Sequence, residues 1–386
     1  MDKKIYYSSL AAVILCSFFP MFIVACYFTF LPWNMNRLNI DESDVGFFLL
    51  IFGIFFILSN QISARILVPI FGTKIIMSLA IIIIAISNLF LMISPNYFYL
   101  LFFAIPTGIG WGSSAPIAGI HANLIEKHSS KIVLPYYHMG FNLGMFIGGI
   151  SAGLFINYGL EAKYIFFTLC VISIFISLII YNLGLPKDLD FKGKGDKLQI
   201  PEKKVLLFGL LLFIIFGSTG IVIDWSSLWL TKDLNAPLYL GGLGLMFFSF
   251  GGIFANLFSN QLINFFSEKT VGCIFVLIGS ILLFISILIF NLYLILFSLL
   301  LYGFLTANFV PLVIRQAVRQ STENISTTVS NLITMGLSSM FIGPAIIGFV
   351  AETYSLTINM YAMCILIFIA GIIFFNLFKT INISKI

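Results

Sequence analysis

Apolar runs of around twenty residues return from one end of this chain to the other, and that recurrence decides the class of fold before any single motif is weighed. The run Ile75–Ile93, IIMSLAIIIIAISNLFLMI, is long enough to cross the hydrocarbon of a bilayer as a helix. It has none of the period-two alternation that a membrane β-barrel strand needs. With 60% hydrophobic residues, 44 Phe and a mean hydropathy of +1.09, no water-soluble domain of 386 residues could bury its apolar surface. The chain reads as an all-α integral membrane protein of twelve transmembrane helices.

Six spans are expected before the middle of the chain: Ser8–Pro32, Val45–Ala64, Ile75–Ile93, Tyr97–Ala122, Val133–Asn157 and Tyr164–Gly184. Six more follow: Val205–Leu230, Gly241–Asn264, Val271–Phe290, Leu292–Ile314, Thr327–Val350 and Thr357–Phe378. Asp41, Glu42, Ser43 and Asp44 are placed to cap span 2. RILVPIFGTK is read as a short return loop, and GSTG at Gly217–Gly220 as an interruption of span 7. Spans 4 and 5 carry the glycines that allow close helix contact, with Gly140, Gly144, Gly148, Gly149 and Gly153 read as one side of span 5.

Between the sixes lies LPKDLDFKGKGDKLQIPEKK, Leu185 to Lys204, a polar stretch expected to lie in water as a cytoplasmic linker. The sequence repeats itself around it. Gly108 with Pro116 matches Gly303 with Pro311, and MFIGGISAG at Met145 returns as MFIGPAIIG at Met340. The pattern W-x4-L-N occurs as Trp33, Leu38, Asn39 and as Trp229, Leu234, Asn235, and SNQ at Ser59 and Ser259. The organisation is therefore two pseudo-symmetric six-helix bundles, 1–184 and 205–386, joined by 185–204.

The net charge of +5 is a matter of topology. All but three of the twenty Lys and Arg (Arg37, Lys163, Lys232) fall on the side of the N-terminal tail, so both termini and the linker are expected in the cytoplasm and the protein in the inner, cytoplasmic membrane. Cys16, Cys26, Cys170, Cys273 and Cys364 sit in apolar spans without CxxC spacing and are read as packing residues rather than disulfide or metal ligands. The N-terminal apolar run continues to Leu31 without a small-residue cleavage site, and Leu15 before Cys16 does not suit a lipoprotein, so the run counts as span 1.

Of fifteen carboxylates, only Asp224 falls inside a span behind several apolar residues. A charged group at membrane depth costs about 2.5–3.5 kcal/mol on insertion scales, so it must face an aqueous cavity or hold a proton part of the time. Both are requirements of proton coupling or solute binding; the structural alternative is that Asp224 caps backbone freed by GSTG. His138 and Glu126 are further candidates for proton coupling or substrate binding near the cytoplasmic side, and His121 a weaker one.

Aromatic faces with polar tips suit ring solutes, which makes Tyr27, Trp111 and Trp225, with Asn142, Asn256, Asn308 and Asn331, candidates to line a cavity. Trp33 and Trp229 are read instead as an interfacial belt. Arg65, Lys74, Arg315 and Arg319, with Glu126, could form an inner gate of ion pairs between the halves or serve only as topology charge.

VLPYYHMGFNLG with Val133, Pro135, His138 and Gly144, preceded by Glu126, carries a resemblance. So do IDWSSLWL with Asp224 and Trp225, and GPAIIGFVAETYSL with Gly343, Pro344, Gly348, Glu352 and Tyr354. The chain resembles the major facilitator superfamily, in a bacterial inner-membrane branch related to fucose-permease-type sugar transporters. The resemblance implies the major facilitator fold and a secondary transporter, often proton-coupled, for a small polar solute. It departs from related sequences at Ala115 and Gly119, where they tend to carry a carboxylate and an asparagine, and at Asn256, where they tend to carry arginine. Their usual acid in the loop after span 2 is missing from FGTK, Phe71–Lys74.

Sugar-like solute import by H+ symport is the leading expectation, H+-driven efflux the second, and a non-transporting membrane solute sensor the reading from another class. No paired carboxylates, HExxH or GxSxG elbow suggests an enzyme, and no phosphate-cradling glycine loop suggests ATP use. No cofactor beyond H+ is expected, and the partners are the bilayer and the solute, with the protein a monomer.

Overall fold

The computed structural model describes the chain except for residues 130, 132, 191–200, 323, 324 and 379–386, and leaves undescribed the side chains of 325–327, 330, 340 and 341. Twelve helices are long and apolar enough to cross a membrane, and no strand occurs among the described residues. They are α1 Lys3–Leu38, α2 Glu42–Phe71, α3 Thr73–Ile93, α4 Tyr97–Ser129, α5 Leu134–Asn157 and α6 Ala162–Leu183. The second six are α7 Lys203–Asp233, α8 Leu238–Leu257, α9 Thr270–Ile289, α10 Leu292–Gln320, α11 Ile325–Thr353 and α12 Leu356–Leu377.

Helix persists further than the sequence suggests, because a backbone leaving water loses its only other hydrogen-bond partners. The expected return loop after span 2 is mostly helical, running on to Phe71 before Gly72 turns the chain at φ 85°. GSTG does not interrupt α7, which is helical through Gly217–Gly220. Span 8 ends at Leu257 and a short helix, Ser259–Phe266, follows it, while the tenth span breaks briefly at Ala307 and Asn308. At the start of α2, Asp41 Oδ1 accepts from Asp44 N at 2.9 Å and Asp44 Oδ2 from Asp41 N at 3.3 Å, the reciprocal cap that the acidic cluster predicts.

The internal repeat is visible as repeated contacts. Asn39 and Asn235 both take left-handed φ, 52° and 54°, which a short polar side chain tolerates at a helix end. Ser59 Oγ lies 2.6 Å from Ser113 Oγ, and at the matching positions Ser259 Oγ donates to Asn308 Oδ1 at 2.6 Å. A Cβ on Gly108 would stand 2.4 Å from Phe52 O, and one on Gly303 2.0 Å from Phe248 O. The two glycines are held in both halves because α4 on α2, and α10 on α8, cross backbone to backbone.

The glycines of α5 do not form one side. Gly140, Gly144 and Gly148 lie against Ile14 O, Phe18 O and Phe22 O of α1, while Gly149 and Gly153 meet Gly242 O and Tyr239 O at the start of α8. Span 5 therefore pairs with span 1 and with the other bundle, and span 4 with span 2. Each of the five cysteines is buried and free, as the packing reading requires.

Half of the expected aqueous linker, residues 191–200, lies outside the described residues, and its beginning is anchored at two buried residues, with Lys187 and Asp188 exposed between them. Leu185 is fully buried and Asp190 only 7% exposed. The apolar side chain and the hydrogen bonds of the carboxylate hold the segment on α3 and α4.

Gly303→Ala is expected to destabilise the protein by roughly 1–3 kcal/mol, since backbone rather than a side-chain tip blocks the new methyl. Gly119→Ala, with nothing within 4 Å of its Cβ, should leave the melting temperature in detergent near that of the parent.

Candidate functional site

Asp224 stands within α7, half-buried, with no hydrogen bond or ion pair among the described residues. It lines a cavity of about 10 Å³ with Phe216, Gly217, Gly220 and Ile221 of its own helix and Ser339, Gly343, Pro344 and Ile347 of α11. The glycines make the room: a Cβ on Gly343 would meet nothing within 4 Å, and the nearest atom to one on Gly220 is Asp224 Oδ2 itself, at 3.9 Å. That space is about what one water needs, at the side of an acid with apolar walls. Since α7 is unbroken, Asp224 has no freed backbone to cap.

The cavity borders the seam between the bundles. Pro344, one of its walls, approaches α2 so closely that a Cβ on Gly46 would stand 2.8 Å from Pro344 O. Ser227, one turn beyond Asp224, donates from Oγ to Thr29 O at 3.3 Å, and Lys232 pairs with buried Glu42 across the same seam. The Gly149–Gly242 and Gly46–Gly348 approaches complete a closure in the half of the molecule away from the termini. Further along, Asn142 of α5 rests on Gly252 of α8, its Oδ1 3.1 Å from where a Cβ would be. One turn nearer the termini His138, whose carbonyl accepts from Asn142 Nδ2, is exposed on the same helix.

The other sequence candidates lie elsewhere. Tyr27 and Trp111 line a separate cavity of about 20 Å³ inside the first bundle, with Asn88 and Thr107, and neither the Tyr27 hydroxyl nor Trp111 Nε1 has a partner there. Trp225 is fully buried in the core, and Asn308 is buried at the break of α10, bonded to Ser259. Asn256 and Asn331 are half-buried, in α8 and α11. Trp229 is not a belt residue: it has no exposed surface and donates to Thr357 Oγ1 at 3.0 Å, while Thr357 donates to Asp233 at 2.7 Å. An indole N–H beside a helix start is better spent there than at an interface. Trp33, half-buried, stacks under Arg37.

Among the described residues, the bonds of Arg315, Arg319, Glu126 and Lys74 that the expected inner gate would use stay within their own bundles. Arg315 and Arg319 both grip Glu268 of their own half, at 2.6 and 2.7 Å. Glu126 accepts from Val133 N and Leu134 N, capping α5, while Lys74 stands over the Tyr181 ring and Arg65 donates to Gln61. The ion pair that does cross, Glu42–Lys232, is at the opposite face, and sequence spacing gave no sign of it because its partners are 190 residues apart.

The profile of the Major Facilitator Superfamily matches residues 13–340. An uncharacterised MFS-type transporter of Yersinia pestis is 24% identical over 346 residues, 89% of each chain. Among solved structures, a bacterial homologue of the human lysosomal transporter Spinster, inward-facing and unoccupied, superposes with a TM-score of 0.72 at 15% identity, covering 98% of each chain. A D-xylose–proton symporter does so with 0.74 at 12% identity, again over 98% of each.

Burial pushes the Glu268 carboxyl up, but the bonds from Arg319 and Arg315 outweigh it and leave Glu268 below its ordinary value. With a depressed folded value, its contribution is complete above the unfolded carboxylate range and is lost as pH falls through the folded value. Melting curves across that acid range should therefore lose a pH-dependent component in Glu268→Gln; unchanged pH dependence would show that the cluster contributes nothing to stability.

Proposed function

Because the chain belongs to the Major Facilitator Superfamily and is a transporter rather than an enzyme, we propose that it moves a small polar, sugar-like solute by alternating access, coupled to H+ at Asp224. The observation that carries this reading is the unpaired Asp224 carboxylate in a glycine-made cavity whose α11 wall is also part of the seam. A carboxylate there is charged and costly when the cavity is shut off from water, and neutral and tolerable once protonated. Rocking of α11 against α2 changes how much water reaches it, so proton occupancy and bundle position depend on each other. The likeness to a D-xylose–proton symporter supports the same coupling and solute class. The asymmetric distribution of Lys and Arg supports termini in the cytoplasm, and the seam would then be closed on the outer side.

In proteoliposomes carrying an internal pH dye, a panel of pentoses, hexoses and sugar alcohols should include a solute that drives proton entry. Asp224→Asn should abolish that proton movement while solute counterflow persists. Proton entry at the parental rate in the variant would reject Asp224 as the coupling group.

Glu42–Lys232 is the charged bond across the closed face, so Glu42→Gln should favour the conformation open on that side. Its effect is expected to be modest, about 0.2–1 kcal/mol or up to roughly fivefold in the conformational ratio, because Lys232 is 55% exposed. Alkylation of a cysteine placed at Met246, whose Cβ faces Gly149 across the closed seam, should be faster in the variant, and an unchanged rate would remove the pair from the gating scheme.

A further inference from the structure

Two of the three histidines are turned to the linker. His121 of α4 has no exposed surface, and both of its ring nitrogens are engaged. Nδ1 lies 2.6 Å from Thr73 Oγ1, and Nε2 accepts from Leu185 N at 3.4 Å. Thr73, the first residue of α3, donates its hydroxyl to Asp190 Oδ1 at 2.7 Å and its backbone N–H to Oδ2 at 2.9 Å. A hydroxyl has one proton, so Thr73 Oγ1 faces His121 as an acceptor and Nδ1 carries the hydrogen. The Leu185 amide can only donate, so Nε2 is bare. The ring is thus held neutral in one tautomer by the linker itself. One helical stretch further on, His128 Nε2 meets Leu189 O at 3.0 Å, and Leu185 packs among Tyr6, Val13, Ala122, Ile125 and Val133.

We propose that residues 185–190 form a clasp released by acid, docked on α3 and α4 while His121 is neutral and let go when Nε2 takes a proton. A protonated Nε2 would face the Leu185 N–H donor to donor, in a site where His121 has no exposed surface through which water could take the hydrogen. The charged groups around the ring are Asp190 from the linker and Lys74 from α3. Asp190 attracts an imidazolium but bonds it only through Thr73, on the Nδ1 side, and leaves Nε2–H unserved. Lys74 opposes the cation, His128 on the same helix holds Leu189, and Tyr6 of α1 and Tyr137 of α5 border the Leu185 pocket. The consequence is mechanical. Residues 185–190 belong to the stretch of chain that joins α6 to α7, and freeing them lengthens the tether between the bundles by at most roughly 20 Å, less the distance that the docked segment already spans. Acid on the side of the termini would loosen the limit on how far the bundles separate there, whatever solute is carried.

The test is pulsed EPR in nanodiscs between nitroxides at Lys127→Cys and Asp188→Cys, both exposed positions outside the clasp bonds, with the five native cysteines buried. Spectra at about pH 8 and about pH 5 bracket the ordinary histidine range. The docked distance should dominate at the higher pH, and the docked-to-released ratio should fall about tenfold at the lower, as for one buried hydrogen bond lost. His121→Gln, whose amide can both accept and donate, should stay docked at both, and Asp190→Asn should be released at both. Should the glutamine variant not fold, Thr73→Val removes the group that orients the ring and should release the clasp with a reduced pH response. A distance distribution in the parent that ignores pH, a pH response that survives in His121→Gln, or a docked Asp190→Asn would each overturn the proposal.

Discussion

In hydrocarbon a helix has already satisfied its own backbone, and that single constraint shapes every other contact in this protein. With no water to expel between helices, close packing must hold them together, and close packing needs small residues. Hence the glycines of α5 against α1 and of α4 against α2, each replaced by backbone oxygen where a side chain would be. The same constraint explains the unbroken course of α7 through GSTG. Flexible residues that would loosen a helix in water do not unwind it where no other partner for the backbone exists.

Against that apolar background a polar group is either answered or conspicuous. Most are answered: Trp229 by Thr357, Asn308 by Ser259, Glu126 by the start of α5. The Tyr27 hydroxyl and Trp111 Nε1 are not, and neither is Asp224, the one ionisable carboxylate among these, whose surroundings are shaped by absent side chains rather than by partners. The contrast separates the polar residues that brace the helices from an acid that can gain or lose a proton without breaking a bond, which is why the proposed coupling is put at Asp224.

Among the described residues the two bundles meet through backbone at glycines, through the Ser227–Thr29 bond and the stacked Phe146 and Phe250 rings, and through one partly exposed ion pair. Such a seam is shape-complementary yet has little electrostatic depth, which suits a surface that must open. At the other face, Arg315 and Arg319 are bound to Glu268 of their own half, and Asp190 to Thr73. These bonds of Arg315, Arg319 and Asp190 brace the second bundle and the linker.

The membrane class, twelve spans and the twofold repeat were legible in the sequence, because span length and the repeated Gly108/Gly303 and Asn39/Asn235 are local or self-matching signals. Asp224 stood out as one acid within a span, and the structure adds the glycine-made cavity beside it. What α5 does with its glycines was not legible, since spacing along a helix does not say which neighbour each face meets. Nor was the burial of Trp229 or the docking of Leu185 and Asp190, whose partners come from distant segments. The sequence by itself determined that the chain lies in a membrane as two repeated sets of helices, since hydropathy and repetition act through every residue. Only the tertiary structure decided which charges pair, which face is closed and which histidines hold the linker, because those depend on a few ångströms between residues far apart in the chain.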